Sequence, residues 1–240
     1  INRELALIKQ MLRLGYDEKL VTHLPKIEML EEPPPREGFL RPGEFATLVA
    51  RMAERHPEHV GWLEVAYWTG WRWRSTVLRL RWADVRDGWL YAPGLLTKNK
   101  KPVRRKLLGP LGDAVARQRA YVEQVQKQTG RVVPWMFCYP DGRPIKHPTD
   151  AFKNAAKAAG LPNLIMHDFC RSAWQNGVNA GIPEKDLMDA FGRRTRSIAD
   201  RYNITDEARL AAVDEKLGQV AETARPERKV VNLTGEGRGK

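Results

Sequence analysis

The chain has 240 residues, 42% apolar and 29% charged, ordinary proportions for a globular protein with room for a real core. Its 41 Lys and Arg against 29 Asp and Glu leave a net charge of +12, which favours a polyanionic partner, most simply nucleic acid. No apolar run is long enough to span a bilayer, Ile1-Asn-Arg-Glu opens like a polar helix, and Cys138 and Cys170 are too few for a disulfide framework; a reducing cytoplasm is the expected compartment.

Helical spacing predicts a first helix over residues 2–14, with Leu5, Ile8, Leu12 and Leu14 near one face. Glu31-Glu-Pro-Pro-Pro35 cannot be helical, because three prolines remove donors and fix φ, and it reads as an exposed linker. Pro42-Gly-Glu-Phe45 opens a helix to about Glu54, and a second apolar stretch runs from Val60 to Trp68 and stops at Thr69-Gly70. His56 and His59, flanking Pro57-Glu58, are expected to face solvent in a polar turn and not to hold a metal. Trp89-Leu-Tyr91 and Val103-Arg-Arg-Lys-Leu107 are strand candidates, with Gly94 to Pro102 as the turn of a β-ribbon. Helical patterns resume at Leu111–Thr129, Thr149–Ala159, His167–Ala180, Glu184–Phe191 and Glu207–Leu217, and a polar tail, 221–240, is expected to be flexible. The expected fold class is mainly α (α+β), with one small antiparallel sheet.

Cations concentrate between Trp71 and Pro110, where eleven Lys or Arg face two Asp within one sixth of the chain. Tryptophans interleave with them (Trp71, Arg72, Trp73, Arg74, then Arg81, Trp82), an arrangement that can flank a phosphate backbone with apolar support. Lys100, Lys101 and Arg104 extend the strip; its bland reading is a solvated ribbon. Gly192-Arg-Arg-Thr-Arg-Ser-Ile-Ala-Asp-Arg-Tyr202 then places one phenol just after four arginines, among them Arg193, Arg194 and Arg196. Such a tyrosine is either an attacking group beside a bound phosphate or a packing residue.

Four segments in order resemble the catalytic domain of the tyrosine recombinases, phage-type integrases in particular. Thr69-Gly-Trp-Arg72-Trp-Arg-Ser-Thr-Val-Leu-Arg-Leu-Arg-Trp82 is similar to the family's first arginine motif, and Thr97-Lys98-Asn99 to its ribbon lysine motif. His167-Asp-Phe-Cys170-Arg-Ser-Ala is similar to its His-x-x-Arg motif, and Thr195-Arg-Ser-Ile-Ala-Asp-Arg-Tyr202 to its nucleophile motif. The resemblance implies a three-stranded sheet in a helical core, residues 33–220 as the catalytic domain, and residues 1–32 as the end of a core-binding (SAM-like helical) domain. It implies double-stranded DNA as partner, no cofactor or metal, and a DNA-bound homotetramer linked through helix 207–217. It casts Arg72 as a phosphate clamp, Lys98 as general acid, His167 as a phosphate or base contact and Tyr202 as nucleophile. The rival roles are structural stacking for Arg72, a helix-start cap for His167, and a phosphate strip in which Lys98 has Lys100 and Lys101 as equals.

The residue types suit that chemistry. Breaking a phosphodiester without a metal requires neutralising a doubly charged transition state, a task for permanently charged arginine forks. A tyrosine ester conserves the bond energy, so that a hydroxyl can later rejoin the strand. Four departures stand against this pattern. The second clamping arginine corresponds to Cys170, whose neutral thiol does not replace a cation. The later His or Trp corresponds to Arg193, an acidic residue near the first arginine corresponds to Thr76, and most of the core-binding domain is absent from the sequence. If His167–Arg171 is helical, positions +3 and +4 lie about 60° and 40° from the histidine on opposite sides, so Arg171 is the candidate substitute for the missing clamp. The resulting expectation is an integrase-like DNA-binding protein with weakened or lost strand transfer. The alternatives are a decayed integrase that only binds DNA and a basic module for RNA or chromatin.

Overall fold

The computed structural model of the chain describes residues 1–32, 38–192, 211 and 213–219. The chain divides into two compact units, Ile1–Arg36 and Glu37–Lys240. In the first unit, helix α1 (Asn2–Asp17) buries none of its residues, and Leu7, Ile8, Met11 and Leu14 are all exposed. The Asn2 side chain ties the segment's end to the helix start: its amide donates to the Leu30 carbonyl (2.8 Å) and the Leu30 amide donates back to Asn2 Oδ1 (2.9 Å).

The second unit is mainly helical. Helix α2 (Pro42–Arg55) starts with proline at its first position, and Glu44 accepts the Arg41 amide (2.8 Å), one of the donors a helix start leaves orphaned. Helix α3 (Val60–Thr69) is buried on every side, from Gly61 through Tyr67 and at Thr69, and so shows no polar face in its sequence. Around it pack α2, α4 (Gly109–Thr129) and α6 (Asp168–Asn179), with α5 (Thr149–Ala158) against α2 and α7 (Glu184–Phe191) following α6. Phe45 of α2 stacks on Tyr67 of α3 with centroids 3.6 Å apart, and Phe169 of α6 meets both edge-on. Gly61 lets α4 approach, since the Gln118 side chain fills the space a Cβ there would need.

Strands β1 (Val85–Arg86), β2 (Trp89–Ala92) and β3 (Val103–Lys106) form one antiparallel sheet in the order β1-β2-β3, with Trp89 opposite Lys106 and Ala92 opposite Val103. The fold class is therefore as expected, mainly α with one three-stranded sheet. Residues 130–148, which carry no clear periodicity, are joined to the segment before the sheet by an isolated bridge from Arg81 to Trp135, and a second bridge, Cys138 to Pro144, closes a turn within them. Among the described residues no helix is long and apolar enough to cross a membrane.

Two expectations need correction. The tryptophans do not flank a ligand as a group: Trp71 is 4% exposed and Trp73 and Trp82 pack against the core, so the alternation turns indoles inward and arginines outward. His59 is also buried, not solvent-facing (3% exposed), because Trp62 donates its indole N–H to His59 Nδ1 (2.9 Å). That bond puts the proton of the neutral imidazole on Nε2, which faces Glu58 (3.7 Å). His56, Glu58 and His59 bring ligand atoms within 4.8 Å of one another, yet a metal would need a bare lone pair where that proton sits.

Burial, and secondarily the neighbouring His56, holds the His59 pKa below the ordinary histidine value despite Glu58. The unfolded chain therefore binds the proton more readily, and stability should fall as pH drops through about 6.5. Thermal midpoints at pH 7.5 and 5.5 should show a larger loss for the native protein than for His59→Gln; equal losses would exclude His59 as the source.

Candidate nucleic-acid interface and catalytic cleft

The cleft begins with a helix stop. Gly70 ends α3 in the left-handed region (φ +64°), and a Cβ there would lie 2.6 Å from the Phe191 ring and 2.8 Å from Ala173 Cβ. Only glycine lets the end of α3 lie so close to α6 and α7. The chain then turns: Thr69 Oγ1 accepts the Trp71 amide (3.2 Å), and the Arg72 carbonyl accepts the amides of Thr76 and Val77 (both 3.0 Å). This turn leaves Arg72 exposed, with no ring or carboxylate partner among the described residues, so it is not a stacked structural arginine.

Arg72, Thr76, Lys98, Lys101, His167, Cys170 and Gly192 line one cleft, and no carboxylate is among its described lining residues. Four segments supply them: the turn after α3, the β2–β3 loop, the start of α6 and the end of α7. His167 occupies the N-cap position of α6, and its exposed side chain is part of the cleft wall. Lys98, Lys100 and Lys101 are all exposed and make no ion pair with described residues; Lys98 and Lys101 line the cleft, and Lys100 sits at positive φ (54°) in the loop.

The departures from the motif pattern have local structural reasons. Thr76 is buried and donates its hydroxyl to the Leu96 carbonyl (2.7 Å), fastening the Arg72 turn to the sheet loop. An ionised carboxylate accepts only, and would face that carbonyl without a bond. Cys170 is 4% exposed, and its thiol points at the Trp71 carbonyl (3.7 Å). Arg171, the candidate substitute clamp, pairs through its Nη1 with the buried Asp168 (3.3 Å), is 15% exposed, and is not among the described residues that line the cleft.

Sequence reasoning assigned no role to Asn99. Its side-chain amide donates to the Gly192 carbonyl (2.9 Å), joining the lysine loop to the residue that precedes Arg193, 93 positions away. Gly192 itself has φ +64°, and a Cβ there would meet Val103 Cγ1 of β3 at 2.8 Å. The signal for Gly192 was its place just past the periodic α7, the usual site of a left-handed helix stop; for Asn99 there was none. Arg105 of β3 reinforces the same corner by donating to the Trp68 carbonyl (3.2 Å) and lying over the Phe191 ring (5.2 Å).

Of the other cations expected to meet DNA, Arg74 and Arg81 line a separate groove and Arg81 stacks over Trp135 (4.6 Å), while Arg104 lies over Trp89 (4.5 Å) with its charge exposed. Arg193, Arg194, Arg196 and Tyr202 lie outside the described residues. So does the tail 221–240; of the helix expected at 207–217, residues 211 and 213–217 are described, and they are helical and exposed.

No protein-family model matches the sequence, and no curated protein matches it. Solved structures do match the fold. A lambda integrase dimer bound to a COC' core site superimposes with a TM-score of 0.64 at 15% identity over 86% of this chain and 61% of that one. XerH site-specific recombinase bound to palindromic difH substrate, a post-cleavage complex, gives 0.61 at 13% over 82% and 56%. The catalytic domain of bacteriophage HP1 integrase gives 0.53 at 18%, over 79% of this chain and 100% of that one. The chain has the tyrosine recombinase catalytic fold. It spans 61% of the length of that lambda integrase chain and 56% of that XerH chain. Within this fold the cleft described above gathers the residues that the resemblance singled out, except those beyond Gly192.

Removing the Asn99 amide isolates its contribution. Asn99→Ala should cost about 1 kcal/mol, the ordinary net worth of a hydrogen bond, and should speed amide hydrogen exchange at residues 97–101 while leaving α3 unchanged. Unaltered exchange in the loop would show that Asn99 does not hold it.

Proposed function

We propose that the chain binds double-stranded DNA and forms the strand-breaking part of a site-specific tyrosine recombinase with a weakened active site. The observation that carries this is the meeting of Arg72, Lys98 and His167, from three separate segments, in a cleft without a described carboxylate. Such a pocket favours an anion at its centre.

In the proposed reaction the Tyr202 hydroxyl attacks the scissile phosphorus, His167 being the neighbouring group able to accept its proton, and the bond to the 5′ oxygen breaks. Lys98 gives a proton to that leaving oxygen, and the Arg72 fork neutralises the phosphoryl oxygens in the transition state. The products are a 3′-phosphotyrosyl link and a free 5′ hydroxyl, which can reverse the step on another strand. Nothing in this scheme calls on a metal or cofactor. Cys170 supplies a neutral thiol where a second clamp belongs, a loss of about a hundred- to a thousandfold in rate. By the same resemblance, residues 1–32 end a core-binding domain, 33–220 are catalytic, and the helix about 207–217 links protomers into a tetramer on DNA, all in the cytoplasm. The exposure of residues 213–217 is consistent with that last role.

A second reading, a decayed integrase that occupies DNA sites without cutting, is favoured by the burial of Cys170 and its bond to Trp71. A nicked suicide duplex separates the two. A covalent protein–DNA adduct that disappears in Tyr202→Phe establishes cleavage, and Arg72→Gln should slow its formation by about a hundredfold or more. Cys170→Arg combined with Arg193→His should accelerate it by a similar factor. Duplex binding with no adduct from either the native chain or the double variant would establish the second reading.

A further inference from the structure

We propose that the groove beside the catalytic cleft holds one unstacked nucleotide of a bound DNA strand. This inference rests on the reading of the chain as a DNA-binding protein and adds to it a subsite with its own chemistry. The groove has a volume of about 650 Å³, within the range of small-molecule sites. Its floor is apolar, with Leu78 and Ile145 7% and 1% exposed and the half-buried Trp135 beside them. Its rim is cationic: Arg74, Arg79, Arg81 and Lys146 are exposed around it, with His147 at the same edge. The one carboxylate among the described lining residues, Asp84, accepts the Arg81 amide (2.8 Å).

Duplex backbone is satisfied by cations on an open surface and has no use for a concave apolar floor. A base withdrawn from its stack needs both features, an apolar bed for its faces and cations for the flanking phosphates. The groove is placed to receive one. The turn Gly94–Leu96 stands between it and the cleft, with Leu96 lining the groove and its carbonyl accepting the hydroxyl of Thr76, which lines the cleft. On that turn Leu95 is 86% exposed at the groove, an apolar side chain among cations that can press on a base face and keep the step open.

The test compares equilibrium affinities for three DNAs of one sequence: a perfect duplex, the same duplex with one unpaired adenine, and the same with an unpaired abasic site. The native chain should bind the adenine bulge about tenfold tighter than the abasic bulge, the effect of one stacked base. Leu95→Ser and, separately, Arg79→Gln, both at exposed positions, should reduce that ratio to within about twofold. Binding to the perfect duplex with equal affinity for the two bulges would overturn the groove and leave the DNA-binding reading intact, as would a preference that survives in both variants. Failure of the native chain to bind the perfect duplex would overturn the DNA-binding reading and the groove with it.

Discussion

The cleft depends on a close backbone approach at Gly70. A helix as apolar as α3 can be buried on all sides only if its end is absorbed by packing, and Gly70 allows this by reversing the chain against Phe191 and Ala173 without a side chain in the way. The turn that follows therefore emerges with α6 and α7 on one flank and the sheet loop on the other. Arg72 owes its position to that reversal, and the meeting of Arg72 with His167 owes nothing to their local sequences. The Thr76 bond to Leu96 then sets how far the sheet loop stands from the turn.

Much of this could be read from the sequence, for physical reasons that also mark where reading stopped. Helices α2, α4, α5, α6 and α7 announce themselves because each has one buried and one wet face, and the 3.6-residue period survives. Helix α3 has no such contrast, and its length and its glycine stop did the work instead. The strands were short but alternate inward and outward, as at Leu90 and Ala92. Residues 130–148 were not legible, since one isolated bridge reaches the distant Arg81, the other joins Cys138 to Pro144 within the segment, and neither leaves a period. The inward turn of Trp71 and the burial of His59 were missed for a common reason: both depend on a tertiary partner that composition does not reveal.

The candidate site shows the same division. Charge density and motif spacing singled out Arg72, Lys98 and His167, and the fold gathers them. Spacing also suggested Arg171 as a replacement clamp, because helix geometry alone puts positions +3 and +4 within about 60° of the histidine, one on either side of it. In the fold the buried Asp168 pairs with Arg171, and Cys170 lines the cleft. A buried carboxylate without its cation is expensive, so that pairing is not readily given up. Asn99 lies inside the lysine motif, but an amide that bonds a carbonyl 93 residues away leaves no trace in local sequence.

That amide makes the lysine loop a latch. One neutral hydrogen bond is worth about 1 kcal/mol net, and about 1.4 kcal/mol separates populations by tenfold, so this bond alone favours the fastened form by only about fivefold. The helical core beneath is held far more firmly by its packed aromatic rings. Lys98 thus rides on a segment whose looseness is set independently of the fold's overall stability. Heating or mild denaturant should break this one bond well before the protein melts, so that the distance between Lys98 and Arg72 would vary while the Thr76 and Arg105 bonds still hold the turn and the strand.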